Sequence, residues 1–117
     1  MTNDILTEIL DESVLPDLYK NSLKNSLDRI EKSLPEDINI PKERWLAIGH
    51  HMSEVINRAI KKEQLPSIKS DTADQIESLY IEKSKKILDG FTDLKNINTA
   101  PETLLLAIHL QCAANGY

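Results

Sequence analysis

At 117 residues, with 40% apolar and 28% charged side chains, the chain has the size and composition of one soluble globular domain, which excludes a disordered segment. A net charge of −5, with its basic residues dispersed among acidic ones, excludes a nucleic-acid surface as the main working face, because phosphate contact needs clustered cations. Three glycines and an aromatic share of 4%, beside abundant Leu, Ile, Lys, Glu and Asp, favour helices over sheets.

The chain opens on MTNDILTEIL, which carries acids where a signal peptide carries bases and has no apolar core of its own. Ile5, Leu6, Ile9, Leu10 and Val14 recur at helical spacing and predict a helix over 4–15, capped by Asn3 and interrupted by Pro16. Pro16 then suits the first turn of a second helix whose stripe is Tyr19, Leu23, Leu27, Ile30 and Leu34, stopped by Pro35. The polar link PEDINIP leads to Pro41, which opens a long third helix through Lys62. Its stripe is Trp45, Ile48, Met52, Val55, Ile56 and Ala59, and Gly49 inside it reads as a point of close packing against a neighbour.

LPSIKSD (65–71) reads as a loop, and Thr72 to Gln75 has capping-box form. A helix through Ile76, Leu79, Tyr80, Ile87 and Leu88 follows, closed by Gly90 at the position just past its end, where glycine supplies a left-handed turn. After a loop through FTDLKNIN, Thr99 to Glu102 forms a second capping box and opens TLLLAIHLQCAA. That last helix is apolar nearly all round and is expected at the centre of the bundle. Its longest apolar run, Leu104 to Ile108, is too short to span a bilayer, and a single cysteine, Cys112, allows no internal disulfide and reads as core. The expectation is one all-α domain over 1–117, a compact bundle of about five helices in the cytoplasm, with no membrane segment and no cofactor.

Histidines are the residues that need explaining. Advancing about 100° per residue, His50 falls on the solvent side of the third helix and His51 on the flank of its stripe. Arg58 lies seven residues after His51, within about 20° of it around the helix. His109 is the strongly polar ring of the last helix, and Glu102 stands seven residues before it on one face, with a second role open to it inside its capping box. Each of two helices thus carries a histidine with a charged residue two turns away.

HHMSEVINR (50–58) and ETLLLAIHLQCAAN (102–115) resemble the two signature segments of the PTS regulation domain, the PRD. In that family the first segment has an Asp-His pair, a hydrophobic residue, and Arg seven after the histidine; these positions fall on His51, Met52 and Arg58, with His50 where the family usually has aspartate. The second has Glu, an apolar run, and His seven after the Glu, followed by a hydrophobic residue, which fall on Glu102, His109 and Leu110. The histidines stand 58 residues apart, similar to the family's separation, and the resemblance covers about 16–115.

The resemblance implies a five-helix bundle that pairs as a homodimer and takes phosphoryl groups on His51 and His109. Their donors would be phosphocarrier or sugar-permease proteins of the phosphotransferase system, with Arg58, Glu102 and His50 as charge partners. A stand-alone PRD, with no nucleic-acid module of its own, would act on transcription or metabolism through a partner. An attacking imidazole must be neutral and exposed at one nitrogen, which suits a histidine on the flank of a stripe. Arg58 then reads as a phosphate-receiving cation whose loss spares the fold.

The competing reading is a helical protein–protein interaction module whose histidines are structural and never phosphorylated. An enzyme or metal protein fits less well. His50 and His51 are adjacent and point about 100° apart, so they cannot chelate one ion together. HExxH, CxxC and glycine-rich phosphate loops are all missing from the sequence.

Overall fold

The computed structural model describes residues 1–63, 74–90 and 100–116. Their regular structure is five helices and no strand: α1 (Asn3–Glu12), α2 (Asp17–Ser33), α3 (Lys42–Lys61), α4 (Ser78–Asp89) and α5 (Ala100–Ala114). The all-α expectation holds.

Thr2, not Asn3, caps α1: its hydroxyl accepts from the Ile5 N–H at 3.3 Å. The helix ends at Glu12, three residues earlier than its apolar pattern suggested, because Ser13 turns to extended backbone ahead of Pro16. Val14 therefore leaves the stripe and faces solvent, while Leu15 is buried. Pro16 and Pro41 occupy the N-cap positions of α2 and α3, with φ of −57° and −59°. α2 buries Leu23, Leu27 and Ile30, with Leu34 capping its end, so its predicted stripe is the observed one.

All six apolar stripe residues of α3 are buried. This helix, and not α5, is the centre: it packs on α1, α2 and α5 in turn. α5 buries Leu106, Ala107, Leu110 and Ala113, but Leu104, Leu105, Ile108 and Cys112 stay half-exposed, since α5 packs mainly on α4 and α3 among the described helices. Gly49 is the close approach that the sequence indicated. A Cβ there would stand 2.5 Å from Ile9 Cγ2 of α1.

α3 ends on Lys62 in the left-handed conformation (φ 57°), with the Glu63 N–H returning to the Arg58 carbonyl at 2.8 Å. α4 starts at Ser78, later than its expected capping box, of which Thr72 lies outside the described residues. Gln111 of α5 accounts for the shift. Its Oε1 accepts from the Glu77 N–H at 2.8 Å and its Nε2 donates to the Gln75 carbonyl at 3.4 Å, holding those residues in a turn. Leu79 is consequently an exposed first-turn residue. Gly90 caps α4 with φ −72°, an ordinary right-handed value, so the left-handed role predicted for it is not the observed one. The loops at 65–71 and 91–98, and the cap residue Thr99, lie outside the described residues.

Candidate functional site

Arg44, His51 and Arg58 follow one another at seven-residue intervals on α3, two turns apart, and so share one side of the helix. Glu102 and His109 do the same on α5. The two helices meet along these rows in antiparallel sense. Arg58, in the last turn of α3, reaches Glu102 in the first turn of α5, and Arg44, near the start of α3, reaches His109.

At one end, Arg58 Nη2 donates to both Glu102 oxygens, at 2.8 and 3.1 Å, and Arg58 Nη1 donates to Glu54 Oε2 at 3.2 Å. Both helix ends favour this polarity, a cation at a C-terminus and a carboxylate at an N-terminus. At the other end Arg44 Nη1 donates to His109 Nδ1 at 2.9 Å. Between the ends the His51 and His109 rings face one another, centroids 5.4 Å apart and planes tilted by 34°. A polar row, cation at each end and imidazoles in the middle, runs between the two helices.

Burial sets the protonation states. His51 is 8% exposed, and its pKa falls to about 4, chiefly through burial and then through the neighbouring charges of His109 and Arg58. His109 is half-buried; burial lowers its pKa too, helped by Arg44. Both shifts favour the neutral form of the imidazole. Burial raises the Glu102 carboxyl, and Arg58 pulls against that rise.

The flank position expected for His51 is corrected: the ring lies inside the seam. Its Nε2 is fully buried and makes no hydrogen bond. The Nε of Arg58 is in the same condition. The structure brings His51, His109, Arg58 and Glu102 together, but with crossed partners. Arg58 serves Glu102 and not His51 alone, while the Glu102 carboxylate turns to α3 rather than to His109. His50 stays outside on the solvent face, its Nε2 3.1 Å from Glu54 Oε1.

Arg44 was missed from the sequence, although its signal was available: it precedes His51 by the same seven residues by which Arg58 follows. Among the described residues no group of three His, Cys, Asp or Glu side chains could hold a metal ion, and no helix is long and apolar enough to cross a membrane.

No family model matches the sequence, and no curated protein matches it. Among solved structures, the chain is similar to the crystal structure of a PRD-containing transcription regulator from Lactobacillus casei ATCC 334, with a TM-score of 0.78 and 13% sequence identity. The match covers 100% of this chain and 98% of that one. The fold of this chain is PRD-like.

Proposed function

We propose that this chain is a regulatory phosphoacceptor domain of the PRD type, which senses phosphotransferase-system activity by accepting a phosphoryl group at the His51–His109 pair. The observation that carries this reading is the pair itself: two neutral imidazoles from separate helices, 5.4 Å apart, between the cations Arg44 and Arg58. Neutral imidazole supplies the nucleophile, and a guanidinium on either side supplies a receiving charge for the transferred group.

The switch follows from burial. A phosphoryl group adds about two negative charges and three acceptor oxygens. The Nε2 of His51 is fully buried, out of reach of a phosphodonor. Phosphorylation there requires α3 and α5 to part, and the added charge then keeps them from re-forming the same seam. The parting changes what surface the domain presents, to a second copy in a homodimer or to a partner in transcriptional or metabolic control. The phosphodonors would be phosphocarrier or sugar-permease proteins of the phosphotransferase system, and the compartment the cytoplasm.

The test is intact-mass spectrometry after incubation with phosphoenolpyruvate and the general phosphotransfer proteins, on wild type, His51→Ala and His109→Ala. An acid-labile adduct of one phosphoryl mass, lost in one or both variants while their helical content is retained, is the expected result. The absence of any adduct, with a control acceptor labelled in parallel, refutes the reading. It would leave a helical interaction module, for which the hydrogen bond between Arg44 and His109 speaks as a structural role of that histidine.

A further inference from the structure

The two histidines are not chemically equivalent, and the difference lies in Arg44. A guanidinium keeps its proton at every pH a protein survives and has donors only. Its Nη1, 2.9 Å from His109 Nδ1, must be the donor, so Nδ1 is the acceptor and holds the lone pair. The proton of the neutral His109 ring is therefore on Nε2. The ring's nucleophilic electrons point at Arg44, and its other nitrogen has none to give until the ring changes tautomer. His51 is held differently: its ring bonds the backbone of Glu102, and its Nε2 makes no hydrogen bond.

We propose that Arg44 is a positioning residue that silences His109 as a nucleophile by occupying its Nδ1 lone pair, and so directs phosphoryl transfer to His51. This rests on the phosphoacceptor reading above and narrows it to one ring. In the transfer step the lone pair of a His51 ring nitrogen forms the N–P bond while the donor's own bond to phosphorus breaks. The donor's leaving group takes that electron pair, and the His51 ring keeps the proton on its other nitrogen. His109 carries its proton on Nε2 for as long as Arg44 holds it, so an opening of the seam beside His51 frees one lone pair and not two. The same site thereby takes one phosphoryl group per chain.

Two measurements test this, and they fail independently. The first needs no phosphate: long-range 1H–15N correlation spectra of the full chain at pH 7.5 read the tautomer of each imidazole. Wild type is expected to show His109 protonated at Nε2. Arg44→Met is expected to move it toward a mixture of tautomers, and Arg44→Lys, which keeps a donor, to restore at least half of the wild-type population.

The second uses potassium phosphoramidate, a small chemical phosphodonor whose P–N bond breaks with release of ammonia. Intact mass and peptide mapping are expected to give one phosphoryl group, on His51, in wild type. In Arg44→Met, checked as folded by circular dichroism, His109 is expected to become labelled at a rate at least tenfold higher. Labelling of His109 at or above His51 in wild type overturns the proposal, as does an unchanged His109 tautomer in Arg44→Met. If His51 and His109 both stay unlabelled while free imidazole is phosphorylated, the phosphoacceptor reading falls and the assignment of His51 with it; the tautomer spectra then still decide whether Arg44 clamps His109.

Discussion

Replacing Arg58 by alanine removes the cation from the buried end of the α3–α5 seam, and the structure sets the size of the loss. From the sequence alone that arginine reads as a spare charge waiting for phosphate. In the fold its side chain is 17% exposed and its partner Glu102 5%. Removing one member of a buried pair costs about 3–5 kcal/mol, because the remaining charge stays out of water with nothing to compensate it. The partial exposure of Arg58 places Arg58→Ala at the lower end, about 3 kcal/mol, or roughly 10–15 °C in Tm for a domain of this size.

The deficit depends on pH with a definite sign. Burial already raises the Glu102 carboxyl, and the guanidinium that opposes the rise is gone in the variant. A carboxyl whose folded pKa exceeds its unfolded value binds its proton more tightly in the native state, so its contribution to stability grows as pH falls through that window. Chemical denaturation of wild type and variant at pH 7 and pH 5 measures both effects, and the gap is expected to narrow at pH 5. Arg58→Met combined with Glu102→Met, which removes both charges, recovers most of the loss. A variant within 1 kcal/mol of wild type at pH 7, or a gap that is the same at both pH values, would refute this account of the seam.

Acid should also weaken the wild-type fold through His51. Its folded pKa of about 4 lies below the ordinary 6.5, so the stability held in the neutral ring is present above pH 6.5 and is lost as pH falls toward 4, by about 3 kcal/mol in all. His51→Gln, followed by urea titrations from pH 7 to 4, should flatten that slope. Gly49→Ala gains about 1 kcal/mol of helix propensity but drives a methyl group into Ile9, an overpacking cost of about 1–3 kcal/mol. A net loss is expected in thermal melts, and it should vanish when Ile9→Ala is already present. Leu106→Ala should cost about 2–5 kcal/mol as a full core truncation, while Leu105→Ala, at a half-exposed position, should cost less than half as much in the same assay.

The sequence made the helices themselves legible because apolar period and proline punctuation are local signals. The stripes of α2 and α3 appear in the core as read, and Gly49 marks a contact with α1 that only a missing Cβ permits. Positions that depend on another helix were not legible. Gln111 decides where α4 begins, and nothing within 72–78 encodes a side chain from α5. The same limit governs the site. Seven-residue spacing tells which residues share a face, but not which face lies opposite, so His51, His109, Arg58 and Glu102 were named while the pairing across the helices was not. Glu102 read as the charge partner of His109 or as a cap, and is the counterion of Arg58. Arg44 went unread and holds His109. His51 seemed to sit at the edge of the stripe because a helical wheel does not show how deeply α5 covers it.

The seven-residue register of the seam makes the two helices intolerant of changes in length rather than of changes in composition. Adding or deleting one residue between His51 and Arg58 would turn everything beyond it by about 100°, carrying Arg58 away from Glu102 while His51 stayed in place. A deletion between Glu102 and His109 would part the two rings in the same manner. Seven residues added together would restore the angle but lengthen the row by about 10 Å, leaving one end without its partner on the opposite helix. Among relatives of this chain, insertions belong in the connections outside α3 and α5, and these two helices should keep their length even where most of their side chains have changed.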